Sequence, residues 1–149
     1  MKNRNSPILI QKSGVESASA GFDFTVFVKT DGSLWGMGRN DYGQLGDVSV
    51  ISRKIPVKIV ESGVASASAG GGHLLFVQND GSLWGIGRNG LGQLGLGDQT
   101  DRKKPTVIEN SNIIQVSAGG GHSLFIKKDG FLLAMGSNGF GQLGAGDQG

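Results

Sequence analysis

Several side chains in this sequence are candidates for phosphate-binding, metal-binding or catalytic roles. Gly85 to Gly90 reads GIGRNG, a match to the G-x-G-x-x-G fingerprint that holds a pyrophosphate when a helix follows. Here LGQLGLGD follows, and 49 residues earlier Asp41 stands where the last glycine should be, so the stretch reads as a turn. His73 and His122 are also 49 residues apart, with Phe24 at the same step before them. A metal site needs further converging ligands, yet the chain has two histidines and no cysteine. Phenylalanine at that position points to packing, with the imidazole hydrogen-bonded to backbone. Trp35 and Trp84 share their position with Leu133; leucine can replace an apolar wall but not a stacking platform, so core packing between units is expected. Nothing singles out a Ser-His-Asp set. The reading is that there is no catalytic residue, no metal ligand and no cofactor site.

The basic residues are the better candidates for recognition. Arg4, then Arg53 and Lys54, then Arg102, Lys103 and Lys104 fall at matching positions and would form a positively charged band. Arg39 and Arg88 match each other, with Ser137 at the third position. Asp47, Asp98 and Asp147 lie close by and would partly neutralise the band, and a solvated rim kept soluble by its charge is the plainer reading. Overall charge is nearly balanced, 14 Lys plus Arg against 12 Asp plus Glu, which makes nucleic acid an unlikely partner.

These positions are set by repetition. Asp31-Gly32, Asp80-Gly81 and Asp129-Gly130 recur every 49 residues, as do the GQLG tetrapeptides at Gly43, Gly92 and Gly141. Three units, about 2–50, 51–99 and 100–149, follow without insertion or deletion in a single repeat domain. A 49-residue unit buries too little apolar surface to stand alone, so the units share interfaces. The 28 glycines recur at fixed phase among Val, Ile, Leu and Phe, as turns of an all-β fold do.

Each unit carries four strand-like runs. Pro7 to Ile10, Pro56 to Val60 and Pro105 to Ile108 read as edge strands, where a proline costs no ladder bond. Val15 to Ala20 and its copies hold small residues, which suits the crowded inner strand of a wedge. Thr25 to Thr30 and Ser33 to Met37 read as a hairpin about a two-residue Asp-Gly turn with φ > 0 at both positions. The following glycine-rich link should hold Gly43 and Gly46 in conformations closed to other residues, with Leu45 pinning it to the sheet. Small residues inside and bulky ones outside describe a propeller blade.

The motifs AGGGH (Ala69 to His73, Ala118 to His122), DGSLWGIGRN (Asp80 to Asn89) and GQLGLGD (Gly92 to Asp98) resemble the regulator of chromosome condensation repeat family across essentially the whole chain. The resemblance implies a β-propeller, usually of seven four-stranded blades, that acts mainly through protein–protein contacts.

The expected fold is therefore an all-β propeller of four-stranded antiparallel blades, three per chain. Three blades are too few to close a ring. Pro7 to Ile10 is an outer strand without its blade, and residues 113–136 are a blade without its outer strand. Another copy of the chain could supply each, making a six-bladed homodimer; a piece cut from a longer propeller would show the same phase. Met1 to Asn5 leave no room for an apolar signal core, and no run reaches membrane-spanning length. A soluble chain with no membrane partner is expected, cytoplasmic if its N-terminus is native.

The favoured function is a non-enzymatic scaffold that offers its glycine-rich loops to a protein partner, with Arg39, Tyr42, Arg88, Leu91 and Phe140 as contacts, since Arg and aromatic side chains anchor interfaces. Three alternatives follow from the resemblance or the charge: guanine-nucleotide exchange on a small GTPase, chromatin or DNA binding through the basic band, and inhibition of a secreted enzyme. The gapless period leaves no room for the wedge that exchange activity requires in the family.

Overall fold

A computed structural model describes residues 1–146. Eleven strands are arranged in three antiparallel sheets, and the described residues contain no helix. The first sheet runs β1 (Val15–Ala20), β2 (Phe24–Lys29), β3 (Leu34–Gly38), β4 (Arg53–Val60). The second repeats it as β5 (Val64–Ala69), β6 (His73–Gln78), β7 (Leu83–Gly87), β8 (Arg102–Glu109). The third has β9 (Ile113–Ala118), β10 (His122–Lys127) and β11 (Leu132–Gly136). Asp147 lies outside the described residues.

Both faces of β6, the second strand of the middle blade, are covered, and its sequence shows it. His73, Leu74, Leu75, Phe76 and Val77 run without alternation and all are buried, as expected of a strand packed on both sides. The first–second blade cluster joins Val26, Val28, Leu34 and Leu45 to Leu74, Phe76 and Ile86, with Trp84 against its edge. The second–third cluster joins Leu75, Val77, Leu83 and Leu94 to Ile113 and Phe125. The inner strands meet through their small residues: the Ala69 N–H donates to Ser19 Oγ at 3.0 Å and the Ala118 N–H to Ser68 Oγ at 2.9 Å. A larger side chain at Ser19 or Ser68 would wedge the blades apart.

Two local expectations are corrected. The Asp-Gly hairpin has three loop residues, Thr30 to Gly32. The Gly32 N–H donates to the Lys29 carbonyl at 2.9 Å, and only Gly32 takes positive φ. Asp31 keeps ordinary backbone because its carboxylate accepts the Ser33 N–H at 2.9 Å, which closes a type I turn followed by a glycine bulge. The outer strands begin three residues before their prolines, at Arg53 and Arg102; an edge strand tolerates an interior proline. Residues 7–10, expected to be an outer strand without its blade, pair with no strand among the described residues. The β3 edge beside them is already taken by β4, so Ile8, Leu9 and Ile10 instead line a groove with Phe27 and Met37 on the face of the first sheet.

Candidate protein-binding face

The link after each third strand is built by two amides. The Asn40 side chain is buried. Its Oδ1 accepts the Leu45 N–H at 2.9 Å, while its Nδ2 reaches Asp47, Ser49 and the Ile51 carbonyl. Asn89 does the same for Leu94 and Asp98. Gln44, Gln93 and Gln142 then accept the N–H of Tyr42, Leu91 and Phe140 at 3.0, 2.9 and 2.9 Å. Gly43 and Gly46 sit at φ 74° and 67°, and Leu45 is fully buried, as the loop composition implied. The result is a rigid loop presenting one apolar side chain per blade.

Tyr42 stands against Gly72 of the next blade, where a Cβ would come within 2.8 Å of its ring. The guanidinium carbons of Arg88 and Arg39 lie 5.2 and 6.0 Å from the ring centroid, within cation–π range. Leu91 occupies the same place over Gly121. Phe140 is the third member and is 99% exposed. The structure thus groups Arg39, Tyr42 and Arg88, and places Leu91 and Phe140 at repeats of the same position. Arg39 pairs with Asp41 at 2.6 Å and Asp23 at 3.3 Å, hydrogen bonds that raise its pKa.

The expected basic band is divided. Arg53 binds Asp47 at 2.6 Å and Arg102 binds Asp98 at 2.7 Å. Desolvation would raise the Asp47 carboxyl, but hydrogen bonds from Ser49, Arg53 and Asn40 outweigh it and hold it low. Asp98 is held low chiefly by Arg102. These arginines brace the links. Lys54, Lys103 and Lys104 are exposed, as is Arg4.

Sequence reasoning missed Phe22, which is 75% exposed and stands over Gly120. The Phe22 N–H donates to the Gly70 carbonyl at 3.2 Å and the Gly71 N–H to Gly119 at 3.0 Å, so consecutive glycine segments are stitched together. The signal was phenylalanine at the phase of Gly71 and Gly120.

His73 bonds a side chain where a backbone partner was expected. Its Nε2 lies 2.8 Å from Ser123 Oγ, which donates to the Gln93 carbonyl at 2.7 Å. With the hydroxyl proton committed there, Nε2 carries the imidazole proton, and the buried Nδ1 has no partner among the described residues. Burial first, then His122 and Arg88, lowers the His73 pKa to about 4. A serine nucleophile needs the opposite polarity and an exposed hydroxyl, so this pair is a neutral strut. Trp84 fills the first–second seam, whereas Trp35 lies on the open face of the first blade with Lys29 Nζ 4.3 Å from its ring centre. Among the described residues no His, Asp or Glu set converges as metal ligands do, and no helix is long and apolar enough to cross a membrane.

Antiparallel sheets stacked face to face, with alanine and serine on their inner strands, define a β-propeller array. The chain belongs to the regulator of chromosome condensation repeat family. One family model, described as the regulator of chromosome condensation (RCC1) repeat, matches residues 31–77 and 80–126, and a second matches 15–44 and 113–142. Among solved structures, Prp20p from Saccharomyces cerevisiae is similar at 24% identity and a TM-score of 0.75, over 87% of this chain and 34% of that one. Human WBSCR16 is similar at 24% and 0.72, over 82% and 33%. Yeast RCC1 (Prp20) bound to Kap60 is similar at 22% and 0.71, over 84% and 32%. The chain spans about a third of the length of these structures. No curated protein matches it.

Proposed function

We propose that this chain is a non-enzymatic scaffold that binds a protein partner through the face formed by its glycine-rich links. The observation that carries the reading is the Tyr42 ring held between Arg39 and Arg88, with Leu91 and Phe140 at the same phase in the next blades. Each apex is fixed by a glutamine and an asparagine, the asparagine buried in the first two links, so little ordering entropy opposes binding. Arg88 forms no ion pair among the described residues, and Lys103 and Lys104 are exposed. A partner surface bearing carboxylates beside an apolar side chain matches this set. Prp20p was described together with its binding to Gsp1p and histones, a precedent for protein binding on this fold.

A photo-crosslinker placed at Phe140, compared with one at Asp129 in the opposite loops, identifies the partner. Its affinity is then measured for Tyr42→Ala and Arg88→Ala. Each should weaken binding by at least about tenfold without changing thermal stability. Equal capture from both positions, or unchanged affinity in both variants, would contradict the reading.

A further inference from the structure

The seams between blades contain a matched pair that varies with position. At the second–third seam His73 meets Ser123. At the first–second seam the same two phases hold Phe24 and Leu74, buried in one apolar cluster. Polar faces polar and apolar faces apolar. The third pair in the series is His122, on the open face of the last blade, and Thr25, on the open face of the first. Both are half-buried and too far round the array to meet within one chain.

We infer that a second copy of this chain seats its first blade on the third blade of the first copy, head to tail, and that His122 bonds the partner's Thr25 across that seam. His122 Nε2 donates to the threonine hydroxyl, which donates on to the Gln142 carbonyl, as Ser123 does to Gln93. A histidine opposite leucine, or phenylalanine opposite threonine, would have spoken against this partner. The exposed faces carry the hydroxyl and the imidazole that fit.

Three further observations converge on the same occupant. The open face of the third blade presents Leu124, Ile126 and Leu132, whose counterparts Leu75, Val77 and Leu83 are buried by the next blade. The open face of the first blade presents Val15 and Met37, the counterparts of Ile113 and Met135, which receive that contact, while Phe27, the counterpart of Phe125, is already buried beneath Ile8 to Ile10. The backbone is equally prepared. Val64 and Ile113 donate across their seams to the Gly32 and Gly81 carbonyls, which leaves Val15 for the partner's Gly130.

Among the described residues β11 has one unpaired edge. The β7–β8 register, Gly87 opposite Arg102, Trp84 opposite Val107 and Leu83 opposite Glu109, transfers to Gly136 opposite Arg4, Leu133 opposite Leu9 and Leu132 opposite Gln11 of the partner. Ile8 to Ile10 already lie against Phe27 and Met37 of their own first blade, as Val57 and Ile59 of β4 lie against the second. Six blades from two copies fall within the range of about four to eight that closes a propeller ring.

The test combines mass and seam chemistry, and it does not depend on the loop-face reading. Light scattering on the wild-type chain should give twice its 15.4 kDa. Thr25→Leu alone, which faces His122 with a leucine, should raise the dissociation constant of the dimer at least about tenfold. Adding His122→Phe recreates the Phe24–Leu74 pair and should restore it. A monomeric wild type at micromolar concentration overturns the inference. So does a dimer indifferent to Thr25→Leu, or one that the added His122→Phe fails to rescue, because assembly would then use another surface.

Discussion

The imidazole of His73 crosses from the second blade to the third, its Nε2 2.8 Å from the hydroxyl of Ser123, fifty residues away and one more than the repeat period. That offset means each blade touches the next through positions one apart in the repeat. It makes the seams, more than the blades, the places where the three units differ.

Acid should weaken this seam in a defined window. His73 is a base whose folded pKa, about 4, lies below its usual 6.5. Above pH 6.5 both folded and unfolded chains hold it neutral and its contribution is constant. As pH falls from 6.5 to 4 the unfolded chain gains a proton that the folded chain refuses, so stability drops by about 3 kcal/mol and then levels. Urea titrations from pH 7.5 to 4.5 should show the slope. His73→Phe combined with Ser123→Leu, which copies Phe24 and Leu74, should flatten it. Asp31, Asp47, Asp80 and Asp98 have folded pKa values below 3.8, so their loss comes at lower pH.

Val48 sits at φ 68°, a left-handed conformation that a β-branched residue resists, and its counterparts Gly97 and Gly146 take φ 78° and 72°. Val48→Gly should therefore stabilise the chain by about 1 kcal/mol, seen as a rise in Tm. A fall in Tm would contradict the strain.

Asn40 anchors its link through five hydrogen bonds. Asn40→Ala leaves the buried Leu45 N–H unpaired and should cost about 2–4 kcal/mol by denaturant unfolding. Arg39→Ala, which loses exposed ion pairs and the surface contact with Tyr42, should leave the unfolding midpoint nearly unchanged. The contrast separates residues that build the face from residues that meet a partner.

Much of this was legible in the 49-residue period. Position in the repeat locates the strands, the small inner residues and the buried Leu45, because each depends on local pattern and stacking. The Asp31-Gly32 turn was misjudged because the Asp31–Ser33 hydrogen bond settles its type, and a dipeptide does not show it. Asp47 and Asp98 were legible as neighbours that would partly neutralise the basic band, but their pairing with Arg53 and Arg102 in particular forms only once the links fold back. Residues 7–10 carry a strand's pattern without a strand's partner, since pairing is a property of the neighbouring edge. The switch from Phe24–Leu74 to His73–Ser123 was visible in the repeats, but only a structure shows that positions fifty apart touch.

Blade should follow blade across the seam between copies as it does within a chain, and an engineered cross-link reads that contact out. The chain has no cysteine, so a pair introduced at Ser68→Cys and Ala118→Cys calibrates the inner-strand contact within one molecule. Ser117→Cys with Ala20→Cys places the same pair across the seam between copies. Under mild oxidation both pairs should close, the first leaving single chains and the second giving disulfide-linked dimers on a non-reducing gel. If the internal pair closes while the Ser117–Ala20 pair stays as free thiols, the account is wrong.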